Sequence, residues 1–541
     1  RQKGAIYNLY AAEDIKTPDG AVVYQAGALV KENLVTGDDG SVTVTNLHLG
    51  TYRVTEIQAP ENFYNAGEEK TVTLSYAGQN VEVVFSDVTF TNDRQKADVS
   101  VVKKDKDTEN PLSGGVFALY AGSDIANADG NVVVKKGTLI EKLTTGADGK
   151  AAFNADLPIG FSYVVKEEQA PQGYLRNSKD VYTFKFSYTS DSEPKVSFTH
   201  TFVNERVKAK ISLEKRDAET KQAVAQGDAT LEKAVYGLYA RNDIVHPDGI
   251  TGVIYKAGEQ VATLTTDKNG QASVDGLYLG DYYVKEISPS VGYLADETEH
   301  DLVCNYEGDL VAEVKRDCTS LEQVMKQPFQ IIKAANNGKT DADLLKGAGF
   351  TAYLESSLTK KADGNYEFAS ATPVVIGENG ATEMFTDEKG YACSIALPYG
   401  TYIVRETTTP HNYTPVDDFT VRITENNPNQ PQTWRVLLDD EFEAKLKIIK
   451  QDDETKKPVL QKNTEFKIYD LDHKKYVEQV TTYPTTVKHK SYFTDEQGYL
   501  ILPQNLKIGN YRIEEVNAPF GYTLNKNYYE VTVDSNTAYQ M

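Results

Sequence analysis

One phrase occurs five times in this chain, and it limits the fold more than any other feature. The phrase is Tyr-x-apolar-x-Glu. It reads Tyr52-Arg-Val-Thr-Glu56, Tyr163-Val-Val-Lys-Glu167, Tyr282-Tyr-Val-Lys-Glu286, Tyr402-Ile-Val-Arg-Glu406 and Tyr511-Arg-Ile-Glu-Glu515. A glycine lies just before each copy (Gly50, Gly160, Gly280, Gly400, Gly509). A tyrosine follows seven residues after the glutamate (Tyr174, Tyr293, Tyr413, Tyr522), with Phe63-Tyr64 in the first copy. Successive glutamates are 111, 119, 120 and 109 residues apart. That period is the size of a domain, not of a solenoid turn. A chain of 541 residues is in any case too long for one core.

Other phrases keep the same phase. Aromatic strands recur at Tyr7–Tyr10, Phe117–Tyr120, Tyr236–Tyr239, Phe350–Tyr353 and Phe466–Tyr469. Turn signals recur at Gly40, Gly149, Gly270, Gly390 and Gly498, each after Asp, Asn, Lys or Gln. Short strands between such turns, with 35 Tyr, 38 Gly and little helical periodicity, read as all-β tandem Ig-like β-sandwich domains, beads on a string. The expected boundaries are a partial repeat at 1–95 lacking its first strand, complete repeats at 96–207, 208–325 and 326–442, and a partial repeat at 443–541 lacking its last strand. The chain therefore reads as a segment of a longer array, and Arg1 opens directly into patterned sequence with no signal peptide expected.

Alternation assigns faces, because neighbouring side chains on a strand point to opposite sides. One parity of the opening strands reads Val99, Val101, Lys103; Ile211, Leu213, Lys215; Phe329, Ile331, Lys333; and Leu446, Ile448, Lys450. The glutamate strands and two closing strands behave alike, with Tyr52, Val54, Glu56 on one face and Phe198, His200, Phe202, Asn204 on another. Each repeat thus aims a Lys, a Glu and often an Asn into its core. Unpaired buried charge is expensive. A lone strand-end lysine reaching water explains one case but not the phase-locked recurrence. A register-fixing salt bridge explains Lys with Glu but not the Asn. Self-crosslinking explains all three. Desolvation lowers a Lys pKa and raises a Glu pKa. The neutral amine is a nucleophile, and a neutral Glu can shuttle protons. Attack on the Asn side chain releases ammonia and leaves an isopeptide bond, whereas Asp would lose water.

These residues resemble the Cna B-type and SpaA-like pilin domains of Gram-positive surface proteins. The matching features are the opening Val99–Asp105, the strand Gly115–Tyr120, the phrase Tyr163–Tyr174 and the closing Phe202–Asn204. The resemblance covers essentially the whole chain. It implies a reverse-immunoglobulin or prealbumin-like sandwich, cell-wall display, and an isopeptide between first and last strands. Carried over by position, the second repeat has Lys103 as nucleophile, Glu167 as catalyst and Asn204 as acceptor. The first keeps Glu56 and Asn92 without a lysine strand. The fifth keeps Lys450 and Glu515 without an acceptor strand. Asn92 and Asn204 each precede the next repeat's lysine by 11 residues, and the same step back from Lys450 and Lys333 reaches Asp439 and Glu322. The fourth set is then Lys333, Glu406 and Asp439, although Trp434, Val436 and Leu438 share a face with Asp440. The third set is Lys215, Glu286 and Glu322, and its two carboxylates around one lysine suit a salt-bridge cluster equally well.

Composition narrows the function. A net charge of −22 repels phosphate backbones, so nucleic acid is not an expected partner. Three Cys give no disulfide framework or metal pair, and buried small apolar positions are expected for them. The seven His show no metal spacing, and Asp105–Asp107 and Asp267–Gly270 lack a full calcium ligand set. No metal or cofactor is implied, and no apolar run approaches a membrane span. The leading expectation is a structural stalk, extracellular and wall-attached through regions outside this segment, with neighbouring repeats as its partners. Tyr483-Pro484 is not the lysine-bearing pilin motif, so polymerisation is unsupported. A second reading has the repeats binding host matrix or glycan, and it requires an exposed aromatic or apolar patch. A third, a glycosidase using paired carboxylates, needs a cleft that inward-pointing glutamates do not suit.

Overall fold

The computed structural model describes residues 1–339 and 341–537. Nearly all regular structure is β, and two single-turn 3-10 helices are the only helical segments among the described residues. The second repeat shows the plan. A four-stranded antiparallel sheet runs in the order Leu139–Thr144, Val116–Ala121, Ser162–Gln169, Val181–Lys185. A three-stranded sheet packs over it in the order Lys150–Ala152, Lys96–Asp105, Lys195–Asn204. The apolar faces close on Val99, Val101, Phe117, Tyr163, Val165 and Phe202, all essentially inaccessible.

The opening and closing strands pair in parallel, from Lys96 beside Lys195 to Asp105 beside Asn204. A parallel pair cannot be closed by a hairpin, so the rest of the domain lies between these two strands. The third repeat repeats the arrangement with Lys208–Asp217 and Glu313–Glu322. The fourth does so with Gln330–Asn336 and Arg435–Asp440. The register is constant. Asn204 pairs with Asp105, Glu322 with Asp217, and Asp439 with Ala335, each two residues beyond the lysine and on its face.

The terminal repeats differ. In the first, Ile6–Ala11, Leu29–Val35, Gly50–Gln58 and Glu69–Leu74 form the four-stranded sheet, but residues 75–92 carry no strand. Its central buried cluster is Leu9, Ala11, Ile15 and Tyr52, while Phe85 stands 88% exposed. In the fifth, Lys447–Ile449 pairs with Tyr499–Ile501 and has no parallel partner among the described residues. A strand edge without a ladder partner leaves its backbone groups to water, which explains the thin packing.

Candidate functional site

The lysine of each opening strand is fixed first through its backbone. Lys103 N donates to Gly149 O at 2.7 Å, Lys215 N to Gly270 O at 2.8 Å, Lys333 N to Gly390 O at 2.7 Å and Lys450 N to Gly498 O at 2.9 Å. These are the glycines of the recurring turns. Each has positive φ, and a Cβ on Gly149 would collide with the Lys103 carbonyl oxygen. The turn therefore seats the lysine-bearing strand as well as reversing the chain, a role that turn chemistry alone does not reveal.

The glutamate is anchored by a second recurring contact. A backbone N–H ten residues on donates to its Oε2: Asn177 to Glu167 at 3.2 Å, Asp296 to Glu286 at 2.8 Å, Val416 to Glu406 at 3.1 Å and Asn525 to Glu515 at 2.9 Å. The tyrosine seven residues after the glutamate makes a third. Tyr174 donates to Asp105 at 2.5 Å, Tyr293 to Asp217 at 3.0 Å and Tyr522 to Asp452 at 2.9 Å. That aspartate lies two residues after the lysine, so the loop is tied to the opening strand. In the fourth repeat Ala335 takes the place of the aspartate, and the tie is missing.

In the second repeat Lys103, Glu167 and Asn204 are all buried. Lys103 Nζ touches Asn204 Oδ1 and lies 3.1 Å from Glu167 Oε1. The Asn204 amide donates to both Glu167 oxygens, at 3.0 and 3.1 Å. The lysine amine thus meets the oxygen of the Asn204 amide while the Glu167 carboxyl holds its nitrogen. Burial lowers the Lys103 pKa, against the pull of Glu167.

The fourth repeat has the same arrangement with an aspartate. Lys333 Nζ touches Asp439 Oδ1 and lies 2.8 Å from Glu406 Oε2, and all three side chains are inaccessible. Glu406 Oε1 and Asp439 Oδ2 have no hydrogen-bond partner. Burial raises the Asp439 pKa to about 6, with Glu406 adding to the rise and Lys333 opposing it. The parity ambiguity is resolved here: Asp440 is exposed and bound to Asn336 at 2.6 Å. Trp434, Val436 and Leu438 also face outward, so on this strand the apolar parity is the solvent side.

In the third repeat Lys215 Nζ touches Glu322 Oε2 and lies 3.5 Å from Glu286 Oε1. Burial lowers the Lys215 pKa to about 8 and raises that of Glu286. Two further groups, Tyr236 and Ser320, reach Glu322. The terminal repeats hold partial sets. Asn92 donates to Glu56 Oε2 at 2.8 Å and Tyr7 to Glu56 Oε1 at 3.3 Å, with no lysine at either among the described residues. Lys450 lies 2.8 Å from Glu515, and no Asn or Asp acceptor reaches the pair among the described residues.

Elsewhere His200 is hydrogen-bonded to Asp180 at 2.9 Å and stacked on Tyr182. The expectation of buried cysteines holds for Cys304 but not for Cys393, which is exposed on the outer face of Tyr391–Cys393. No helix among the described residues is long and apolar enough to cross a membrane.

The chain belongs to the family described as SpaA, prealbumin-like fold domain. That family matches residues 3–89, 97–201, 209–317, 328–435 and 444–541, five domains in tandem. A curated relative is the collagen adhesin of Staphylococcus aureus, 30% identical over 201 residues, or 36% of this chain. The match spans only 15% of that adhesin's length. Among solved structures, the Bacillus anthracis TIE protein superposes with a TM-score of 0.43 at 20% identity, over 81% of this chain and 68% of its own. The major pilin subunit BcpA of Bacillus cereus gives 0.26 at 15% identity, over 64% of this chain and 100% of its own.

Proposed function

We propose that this chain is a stalk segment of a bacterial surface adhesin or pilin-like protein, locked by autocatalytic Lys103–Asn204 and Lys333–Asp439 isopeptide bonds. The supporting observation is the buried convergence of lysine, glutamate and acceptor at the join of the two parallel strands. A neutral Lys103 amine attacks the Asn204 carbonyl carbon, Glu167 passes a proton to the departing nitrogen, and ammonia leaves. At Asp439 the same route releases water. Each reaction happens once per molecule, so there is no turnover on an external substrate. Proximity in a fixed core supplies much of the acceleration.

The bond suits a load-bearing, extracellular role. It joins residues 101 apart in the second repeat, the two strands that would otherwise separate under tension. By loop-closure entropy a cross-link over such a span stabilises by roughly 4–5 kcal/mol, as a disulfide would. Intact mass spectrometry tests the reading. The chain should be lighter than its sequence by one ammonia and one water for these two sites, with Lys103→Ala and Lys333→Ala each restoring its own share. A full sequence mass would leave only buried salt bridges.

A second reading, direct binding of host matrix or glycan, is favoured by one feature. Trp434, just before the closing strand of the fourth repeat, and Val436 and Leu438 on it stand 61%, 63% and 47% exposed. Binding of the whole chain to immobilised matrix proteins and glycans, lost in Trp434→Ala with Val436→Ser, would support it. No binding to any of them would remove it.

A further inference from the structure

The third repeat carries a different acceptor, and two other substitutions accompany it. At the aromatic position facing the lysine, the second and fourth repeats have Phe117 and Phe350, each ring under 6 Å from its lysine Nζ at 5.9 and 5.6 Å. The third has Tyr236. In the closing strand the residue paired with the lysine is Phe202 in the second repeat and Leu437 in the fourth. In the third it is Ser320. Phe117 and Phe202 pack against each other with ring centroids 4.8 Å apart. Replacing that pair by tyrosine and serine removes a ring, makes room for a side chain one methylene longer, and adds two hydroxyls. The longer side chain is Glu322.

Both hydroxyls converge on one oxygen. Tyr236 Oη donates to Glu322 Oε1, and Ser320 Oγ donates to the same atom at 3.1 Å. The other oxygen, Oε2, meets Lys215 Nζ without hydrogen-bond geometry and has no other polar partner. The carboxyl is therefore polarised at one end and open to the amine at the other. We propose that Tyr236 and Ser320 form an oxyanion cradle that makes Glu322 the acceptor of a Lys215 isopeptide bond in the third repeat. This rests on the self-crosslinking reading of the second and fourth repeats and extends it to a Lys–Glu bond with its own machinery.

The step balances without a co-reactant. Proton transfer within the ion pair gives neutral Lys215 amine and neutral Glu322 carboxylic acid. The amine lone pair attacks Cδ, the N–Cδ bond forms, and the negative charge develops on Oε1 between the two hydroxyls. Glu286 takes a proton from the attacking nitrogen and delivers one to Oε2. The Cδ–Oε2 bond breaks and one water leaves, removing the oxygen that had no hydrogen-bond partner. Burial raises the Tyr236 pKa, so the phenol keeps its proton throughout the physiological range. Fixed donors aimed at a developing oxyanion in a dry site are among the largest catalytic contributions known, about 10²–10³-fold per donor. A salt-bridge cluster would need neither the departures at 236 and 320 nor their convergence on one oxygen.

The test is peptide mass mapping of the full-length chain, with a time course that starts from newly synthesised, still unlinked chain. The expected result is a linked Lys215–Glu322 peptide short of one water. Tyr236→Phe, which installs the residue of the neighbouring repeats, and Ser320→Ala should each slow that linkage by about 10²-fold. The second and fourth linkages should keep their rates in both variants. Glu322→Gln should form the same linked peptide with loss of ammonia in place of water. Linked second and fourth repeats with an unlinked third in the wild type would overturn the cradle and leave the stalk reading intact. Wild-type rates in both Tyr236→Phe and Ser320→Ala would also overturn it. Absence of every linkage would overturn both.

Discussion

At the scale of single residues, the central question is why this core tolerates ionisable groups. In the second, third and fourth repeats the lysine sits between a carboxyl and a side-chain carbonyl, and burial lowers the pKa of Lys103 and Lys215 and raises that of Glu286 and Asp439. Replacing Glu167 by Gln keeps the volume but removes the relay. Measured against its own sequence mass, the variant should keep the ammonia that the wild type loses, with the second repeat less stable by roughly 4–5 kcal/mol in calorimetry. Loss of that ammonia in the variant would remove Glu167 from the reaction. The first repeat offers a control without a lysine. Burial raises the Glu56 pKa, opposed by hydrogen bonds from Asn92 and Tyr7. A folded pKa above the unfolded value of about 4.3 means the contribution is full below that pH and lost as pH rises through the folded value. Stability of the first repeat should therefore fall on going from pH 4 towards neutrality. Glu56→Gln should flatten that slope, measured by amide exchange of Gly50–Gln58 corrected for intrinsic rates. An equal slope in both would assign the pH dependence elsewhere.

At the scale of strands, much of the arrangement is legible from alternation, because one face of each strand is buried and the period is two. Val99, Val101 and Lys103 share a face by spacing alone, and they are buried together. Spacing from the following lysine also reaches Asp439, where parity misleads because Trp434, Val436 and Leu438 lie on the solvent side. What stays illegible is contact made by backbone. The turn-glycine carbonyls that hold the lysine strand and the N–H that anchors Glu167, Glu286, Glu406 and Glu515 leave no side-chain signature. Gly149→Ala tests the first of these. It forces a side chain into a left-handed conformation and against Lys103 O, so it should cost about 1–3 kcal/mol and slow the second linkage. An unaffected linkage rate would show that the turn only reverses the chain. The thin first repeat and the fifth repeat's opening strand, paired on one side only among the described residues, should exchange amides faster than the middle three. Equal protection in all five repeats would contradict that expectation.

Over the whole molecule, recurring contacts set the joints between repeats. The Asp191 carboxylate accepts Ala59 N at 3.1 Å, and the Asp309 carboxylate accepts Ala170 N at 3.0 Å. In each case the next repeat reaches back to the loop that follows the recurring glutamate. The joint before the fourth repeat uses Asp228 instead, which accepts Thr401 N at 2.9 Å. Asp309→Ala should broaden the distance distribution between dyes on the second and third repeats. An unchanged distribution would mean that the connecting strand alone sets the joint. The central claim is that these cores are sewn shut by bonds their own residues make, and intact mass under denaturing conditions tests it most directly. The account predicts a deficit of one ammonia and two waters, reduced to one ammonia and one water in Lys215→Ala. A mass equal to the sequence would contradict it.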